Sequence, residues 1–317
     1  MRTNVEVARP VRRPRAGELL GRIGRTPLVP LSRLEREFAG VRLFAKAEWH
    51  NPGGSVKDRA AASIIAEAEA DGRLRDGVAL LDATSGNTGV AYAMIAAAKG
   101  YRATLCVPKN ANPHVLARLR GYGAEVVLTD PLQGSDGAIR EARRLAAEFP
   151  AQFVYLDQYN NPANWKAHYR TTAVEIWDET NGSVTHFIAG LGTTGTLTGT
   201  SRRLKELNPR IRAVAVQPDA PFHGLEGLKH LESAIVPGIY DPSVPDEMLF
   251  ISTEAAYEAL QRLLREEDLF VGPSAGAALA AGLQVARRLS AAREQPATIV
   301  MIFPDAGGRY ATEGFSR

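Results

Sequence analysis

The chain has 317 residues, 45% of them hydrophobic, with a formal net charge of +3 and an isoelectric point near 9.0. No apolar run approaches the roughly 18–20 residues of a membrane-spanning helix, and no secretory signal is evident, so we expect a soluble, cytoplasmic protein without a membrane partner. Five arginines among the first fifteen residues account for the positive excess. Because the remaining body is nearly neutral, a nucleic-acid partner is not expected.

The length favours two domains, with a boundary in the segment 158–164. Residues 1–15 are predicted to form a disordered arm rather than a targeting or interaction segment. The one cysteine, Cys106, can build neither a disulfide framework nor a cysteine metal site, and we expect it in the core. The histidines show no metal-ligand spacing, so no metal is expected.

The first informative segment is NPGGSVKDR, residues 51–59. Lys57 follows a Pro-Gly-Gly turn and is predicted to open a helix through residues 60–68. The chain has only seven lysines, so few amines compete for a special role. A lysine amine can form a Schiff base with a carbonyl cofactor. On spacing alone, a solvated charge paired with Asp58 or Glu48 is an equally good interpretation.

A strand–helix–strand unit comes next. The pattern predicts a strand at residues 79–82, a helix at 90–99 that ends before Gly100, and a second strand at 104–107. The loop TSGNTG, residues 84–89, joins the first strand to the helix.

This loop places hydroxyl and amide side chains just before a helix N-terminus, which favours an anion such as a carboxylate. They belong to Thr84, Ser85, Asn87 and Thr88. Ordinary helix capping is the alternative, but capping needs one such residue and the loop has four. We therefore predict a binding loop.

A second unit has predicted strands at 185–189 and 213–217 and a helix at 197–207. Its loop, GLGTTGT at residues 190–196, matches the dinucleotide pattern G-x-G-x-x-G and by itself suggests an NAD-dependent oxidoreductase. The acidic residue expected at the end of the next strand is missing, because that strand ends at Gln217. The threonine hydroxyls beside a helix N-terminus better suit a phosphate monoester.

A third unit is predicted where the run VGPS, residues 271–274, opens a helix at 275–289 before a strand at 298–303. The alternation of strands and helices predicts an α/β fold, with mostly parallel twisted sheets flanked by helices. Lys57 and the two loops together supply an amine, a phosphate cradle and a carboxylate site, which pyridoxal 5′-phosphate (PLP) chemistry requires.

Several motifs, in this order, resemble those of the cysteine synthases, a group of fold type II PLP enzymes. They are NPGGSVKDR (51–59), TSGNTG (84–89), QYNNPAN (158–164), GTTGT (192–196) and GPSAGA (272–277). The likeness extends from GRTPL (24–28) to Pro304 and Asp305. It implies a smaller N-terminal domain, residues 1–161, with residues 27–50 packing on a larger, phosphate-binding domain, residues 162–317, and PLP in the cleft between them.

The resemblance also implies roles for individual residues. Lys57 would carry PLP and act as general base, and Asn87 would contact the ring hydroxyl. Ser274 would face the ring nitrogen. The phosphate would be bound by Gly192, Thr193, Thr194, Gly195 and Thr196. The substrate carboxylate would be received by Thr84, Ser85, Asn87, Thr88 and Gln158. Thr194 departs from the family, which usually has glycine there.

The implied reaction is β-replacement, which makes L-cysteine from O-acetylserine or O-phosphoserine and a sulfur donor, in a homodimer. Lys229 falls where relatives that prefer O-phosphoserine carry a cation, although a plain surface charge is an equal interpretation. The chain stops at Arg317, which argues against a protein-borne sulfur donor. Cystathionine synthesis, serine dehydration and a catalytically silent binding protein stay open as alternatives.

Overall fold

A computed structural model describes residues 16–292 and 296–310, so the predicted arm, residues 1–15, lies outside the described residues. The β-strands within the described ranges are Leu28–Pro30 (β1), Val41–Ala47 (β2), Ala79–Ala83 (β3), Arg102–Pro108 (β4), Glu125–Thr129 (β5), Phe153–Tyr155 (β6), His186–Gly190 (β7), Arg212–Pro218 (β8), Glu247–Ile251 (β9) and Ala297–Phe303 (β10).

The α-helices of the same ranges are Ala16–Leu20 (α1), Lys57–Ala70 (α2), Asn87–Lys99 (α3), Pro113–Gly121 (α4), Gly134–Glu148 (α5), Ala163–Arg170 (α6), Thr172–Glu179 (α7), Gly195–Leu207 (α8), Thr253–Glu267 (α9) and Pro273–Ala292 (α10). Short 3₁₀ helices lie at Leu34–Glu37, Glu48–His50, Pro131–Gln133 and Gly307–Arg309. None of the described helices is both long enough and apolar enough to cross a membrane.

The described strands form two sheets. The larger has the order β1-β2-β10-β7-β8-β9, in which β1 is antiparallel to β2 and the other neighbours are parallel. The smaller has the order β5-β4-β3-β6 and is parallel throughout. The predicted α/β class with mostly parallel sheets is confirmed. The domain boundary near residue 161 stays a prediction, while β1 and β2 are strands of the larger sheet.

Helices cover both faces of each sheet, which explains why the central strands are continuous apolar runs. Successive side chains of a strand point to opposite faces. In β3, Leu80 packs in the core beneath α2 and α3, whereas Leu81 packs with α5. In β10, Met301 packs with α9 and α10, whereas Val300 packs with α7 and α8.

The first two strand–helix–strand units are confirmed, and their elements begin and end within three residues of the predicted bounds. The helix and the strand predicted for the third unit are confirmed as α10 and β10, with bounds that lie within three residues of those predicted. Val271 makes an isolated bridge with Ala306 and belongs to no strand. The preceding strand is β9, followed by α9, neither of which was predicted. Cys106 is fully buried, as expected, and burial raises the pKa of its thiol to about 12.

Candidate active site

A cavity of about 370 Å³ lies where the loops after β3 and β7 face each other. In parallel sheets, ligands bind outside the carboxyl ends of the strands. The predicted site residues that line it are Lys57, Thr84, Ser85, Asn87, Thr88, Gln158, Gly192, Thr193 and Lys229. A smaller adjoining cavity of about 30 Å³ is lined by Lys57, Asn87, Thr194, Thr196 and Ser274, among others. The structure thus brings the predicted residues together.

Lys57 is the first residue of α2 and borders both cavities. Among the described residues, its amine has no hydrogen-bond or ion-pair partner. Burial lowers the pKa of the amine, and the Asp305 carboxylate opposes that effect. Lowering the pKa increases the fraction of neutral amine, the form that acts as nucleophile and base.

The alternative pairing of Lys57 with Asp58 or Glu48 is wrong. Asp58 accepts a hydrogen bond from the Gly53 amide at 2.5 Å. Glu48 is fully buried and binds the Arg59 guanidinium at 2.8 Å. Burial alone would raise the pKa of Glu48, but Arg59 holds it below its ordinary value. Both carboxylates therefore serve the loop around Lys57 rather than its amine.

The loop between β7 and α8 presents backbone and hydroxyl groups to the cavities. A Cβ on Gly192 would lie 2.4 Å from the Gly227 carbonyl oxygen, so the position requires glycine. Thr194 has φ +69°, a left-handed conformation that is unfavourable for a β-branched residue and would suit glycine better. Its hydroxyl is buried without a described partner. An orphaned buried donor at a helix N-terminus fits a phosphate.

Two further hydroxyls of this loop are held from behind by helix α6. Asn164 Nδ2 donates to Thr193 Oγ1 at 3.0 Å, and His168 Nε2 lies 3.3 Å from Thr196 Oγ1. Burial, reinforced by the nearby Arg59, lowers the pKa of His168 to about 3, so its ring is neutral. Sequence reasoning missed both residues, although Asn164 ends the QYNNPAN motif.

The loop between β3 and α3 uses some of its hydroxyls internally. Thr84 Oγ1 accepts hydrogen bonds from the amides of Gly86 at 3.1 Å and Gly89 at 3.0 Å. Thr88 Oγ1 donates to Gln158 Oε1 at 2.7 Å. Ser85 is exposed to the cavity. The capping alternative therefore describes Thr84, whereas Ser85 is available to a carboxylate.

Ser274 and Asn87 lie on opposite elements beside Lys57. Ser274 is buried near the start of α10, and its hydroxyl has no described hydrogen-bond partner. Asn87 Nδ2 donates to Asp305 Oδ2 at 2.6 Å, and the Tyr310 hydroxyl donates to the same oxygen at 2.6 Å. Asp305 itself is buried, and burial raises the pKa of its carboxyl. Sequence reasoning noted Asp305 only as the end of the family likeness.

Lys229 is a buried, paired cation rather than a surface charge. Its amine lies 2.9 Å from Asp136 Oδ1 and 5.1 Å from the centre of the Tyr159 ring. The Lys229 amide donates to the Leu191 carbonyl at 2.7 Å, which joins its loop to the phosphate loop. Asp136 lies on α5, beside the smaller sheet. The surface-charge alternative is therefore wrong.

Comparison with known proteins agrees with this geometry. The profile of the family described as "Pyridoxal-phosphate dependent enzyme" matches residues 19–305. A cysteine synthase from Aquifex aeolicus is 49% identical over 296 residues, 93% of this chain and 90% of its own. The crystal structure of a cysteine synthase from Entamoeba histolytica superposes with a TM-score of 0.88 at 33% identity, covering 98% of this chain and 93% of that one. An O-ureido-L-serine synthase structure has a TM-score of 0.86 at 37% identity, covering 94% and 96%.

Proposed function

Because the chain belongs to the pyridoxal-phosphate dependent enzyme family, we propose that it makes L-cysteine by β-replacement, from an O-activated serine and sulfide or another sulfur donor. The observation that carries this proposal is the Lys57 amine, which has no hydrogen-bond or ion-pair partner among the described residues and lies between two loops suited to anions. The cysteine synthases among its relatives support the same activity. The NAD-dependent alternative is not supported, since β8 ends at Pro218 without an acidic side chain.

The cofactor is pyridoxal 5′-phosphate. Lys57 would hold its carbonyl carbon, and the loop from Gly192 to Thr196 would hold its phosphate. Asn87 would meet the ring hydroxyl and Ser274 the ring nitrogen. The orphaned Thr194 hydroxyl and the bare backbone at Gly192 are the features of this structure that fit such a group. When bound, PLP withdraws electrons from the Cα of an attached amino acid, so that the Cα proton becomes acidic and a group on Cβ can leave.

Lys57 moves the proton in this scheme. The Lys57 amine would take the proton from the substrate Cα and later return it. Burial lowers the pKa of the amine, which favours the neutral form that accepts a proton. Ser274 would supply a neutral hydroxyl to the ring nitrogen of the bound cofactor, where an aspartate would stabilise a protonated ring. That choice favours loss of the Cβ group over transamination.

The loop at residues 84–89 binds and orients the substrate carboxylate. Ser85 and the N-terminus of α3 face the cavity and provide donors to a negative group. Gln158 supports this loop, because its Nε2 donates to the Ala83 carbonyl at 2.7 Å while its Oε1 accepts from Thr88. Closure of the smaller sheet's loops over the cavity would keep water from the reacting carbons.

The direct test is to incubate purified holoenzyme with sulfide and either O-acetylserine or O-phosphoserine, and to measure L-cysteine. Borohydride reduction followed by peptide mapping should place the pyridoxyl group on Lys57. A pyridoxyl group on another lysine, or serine dehydration without cysteine formation, would contradict the proposal. Cystathionine synthesis is tested in the same assay with homocysteine in place of sulfide.

We propose that Lys229 contacts the leaving group of the substrate and thereby sets the preference between the two donors. A phosphate leaving bulk water needs a cationic partner, and one charge-assisted contact contributes about 1.5–3 kcal/mol. Lys229→Ala should lower kcat/KM for O-phosphoserine by roughly 10- to 150-fold and change that for O-acetylserine by less than about threefold. Steady-state kinetics on both donors measure the difference.

Asp136 provides the matched variant, because its carboxylate neutralises the Lys229 amine. Asp136→Asn should raise kcat/KM for O-phosphoserine, since the freed cation can turn to the phosphate. Equal losses on both donors in Lys229→Ala would show that the residue only shapes its loop.

The partners and assembly are also proposals. We propose a homodimer that acts in the cytoplasm on small-molecule substrates, as its resemblance to the cysteine synthases implies. Light scattering coupled to size-exclusion chromatography measures the mass directly, and a monomer would contradict the dimer.

A further inference from the structure

Helix α6 lies behind the phosphate loop and presents two buried polar side chains to it. Asn164 and His168 are one helical turn apart, each is 1% exposed, and they contact Thr193 and Thr196. The helix can approach this closely because α8 has a glycine at the crossing. A Cβ on Gly199 would lie 1.9 Å from the Trp165 carbonyl oxygen. Neither Asn164 nor His168 borders the cavities.

The orientation of the Asn164 amide follows from its second partner. The same Nδ2 donates to the backbone carbonyl of Gln158 at 2.7 Å. A carbonyl oxygen only accepts, so the atom facing it must be the NH₂ group. Asn164 is therefore the donor to Thr193 Oγ1, and the Thr193 proton is left to point elsewhere. Thr193 borders both cavities, which provides that direction.

We propose that Asn164 is a positioning residue that fixes the direction of the Thr193 hydroxyl, so that this hydroxyl donates its proton to the cofactor phosphate. The inference rests on the proposed cofactor site. A threonine hydroxyl that is free to rotate could point its oxygen lone pairs at the anion, which would repel it. The hydrogen bond from Asn164 to the Thr193 oxygen prevents that orientation. Hydrogen bonds in such a chain strengthen one another.

The same amide joins the two binding loops. Asn164 holds the Gln158 carbonyl, and the Gln158 side chain holds Thr88 of the loop at 84–89. The chain of contacts runs from the carboxylate loop through Gln158 and Asn164 to Thr193. A substitution at Asn164 should therefore affect both loops, and the phosphate loop most directly.

The test uses Asn164→Asp, Asn164→Ala and Thr193→Val holoenzymes, with the equilibrium constant for PLP release and the ³¹P chemical shift of the bound phosphate as readouts. Asn164→Asp should weaken PLP binding at least about 100-fold, because a carboxylate accepts the Thr193 proton and adds a negative charge near the phosphate. Thr193→Val should weaken it by roughly 10- to 150-fold, the loss of one hydrogen bond to a charged group. Asn164→Ala should weaken it by roughly 5- to 10-fold.

A double variant keeps the proposal falsifiable even if Asn164→Asp does not fold. If Asn164 acts through Thr193, Asn164→Ala combined with Thr193→Val should bind PLP within about threefold of Thr193→Val alone. Effects that multiply would overturn the proposal, as would wild-type PLP affinity and ³¹P shift in a folded Asn164→Asp protein.

Asn161→Asp is the matched control. Asn161 is also buried in this segment, but it bonds to the Leu156 carbonyl and the Ala163 amide rather than to the phosphate loop. It should leave the ³¹P shift unchanged, and a shift as large as that of Asn164→Asp would overturn the proposal. Absence of cysteine formation by the wild type would contradict the proposed reaction instead, so the two failures are distinguishable.

Discussion

The two anion loops are both strand-to-helix connections rich in threonine, yet they distribute their hydrogen bonds differently. The loop at 84–89 satisfies Thr84 from its own backbone. In the loop at 190–196, the Thr194 hydroxyl has no partner within the part of the chain that the structure describes, while helix α6 orients Thr193 and Thr196 from behind. Thr84 of the first loop is bonded by its own backbone, whereas the second loop keeps a hydroxyl that the proposed cofactor phosphate would bind. This difference separates variants that reduce stability from variants that reduce binding.

The largest expected effect is that of substituting Lys57, which lies between the two loops. Lys57→Ala should lower β-replacement by about 10³-fold or more, because proton transfer at Cα depends on this amine. Retention of PLP through the 190–196 loop is expected, since its contacts do not involve Lys57. Turnover and PLP content measured on the same sample check both parts. Turnover above a few per cent of wild type without added amine would contradict the assignment.

Titration should distinguish the groups behind the two loops. His168 has its pKa lowered to about 3 by burial, whereas Asp82, buried beneath the loop at 84–89, has its pKa raised to about 7 by burial. Below pH 6.5 the unfolded chain protonates histidine and the folded chain does not, so His168 reduces stability as the pH falls. Asp82 has the opposite effect on stability. Above about pH 4 the unfolded chain releases the Asp82 proton while the folded chain still holds it, so the contribution of Asp82 to stability falls as the pH rises.

His168→Gln should therefore remove an acid-side loss of up to about 1.4 kcal/mol per pH unit between pH 6 and 4. Denaturant unfolding of both proteins at several pH values measures it. An unchanged pH dependence would show that His168 is not neutral in the folded protein.

The next prediction concerns Thr194, whose hydroxyl should contribute to PLP binding but not to stability. Thr194→Val keeps the shape and removes a hydroxyl that no described residue uses. PLP affinity should fall by roughly 10- to 150-fold, as for a lost hydrogen bond to a charged group. The free energy of unfolding of the PLP-free protein should not fall. Thr196→Val is a useful comparison, because the Thr196 hydroxyl has His168 as a partner. Lower stability without PLP would show that Thr194 is structural.

Thr84→Val should behave in the opposite way and with the smallest effect. The amides of Gly86 and Gly89 lose their acceptor, which costs about 1–3 kcal/mol of stability whether or not PLP is bound. Thermal unfolding with and without cofactor measures the loss. A variant as stable as wild type, but with a raised KM, would contradict the internal role and favour direct substrate binding.

The sequence was most informative where function depends on local geometry. Lys57 after a Pro-Gly-Gly turn, and the glycines at 192 and 195, belong to local motifs and could be predicted from them. The contacts that exclude a Cβ at both glycines come from distant segments, at Gly227 and Asn164. Strands β3 and β10 were predicted because runs buried on both faces are mostly apolar. The class of fold followed from the alternation of such runs with helices.

Contacts between distant segments could not be predicted. Asp136 lies 93 residues before Lys229, and Asp305 lies 218 residues after Asn87. The local sequence around each residue does not indicate its distant partner. The sequence therefore could not distinguish a Lys229 paired with Asp136 from an unpaired one. The missed strand β9 has only one fully buried residue, Ile251, and this edge position gives a weak apolar signal.

The position of β10 has a consequence for how the chain is made. This last described strand lies between β2 and β7 in the larger sheet, and it pairs with both. A ribosome-bound chain that ends before residue 297 can pair the strands of the smaller sheet, but its larger sheet stays split into β1–β2 and β7–β8–β9. The Pro304 carbonyl that binds the Val56 amide, next to Lys57, arrives later still. The segment around Lys57 therefore gains these contacts only after residue 304 has been synthesised.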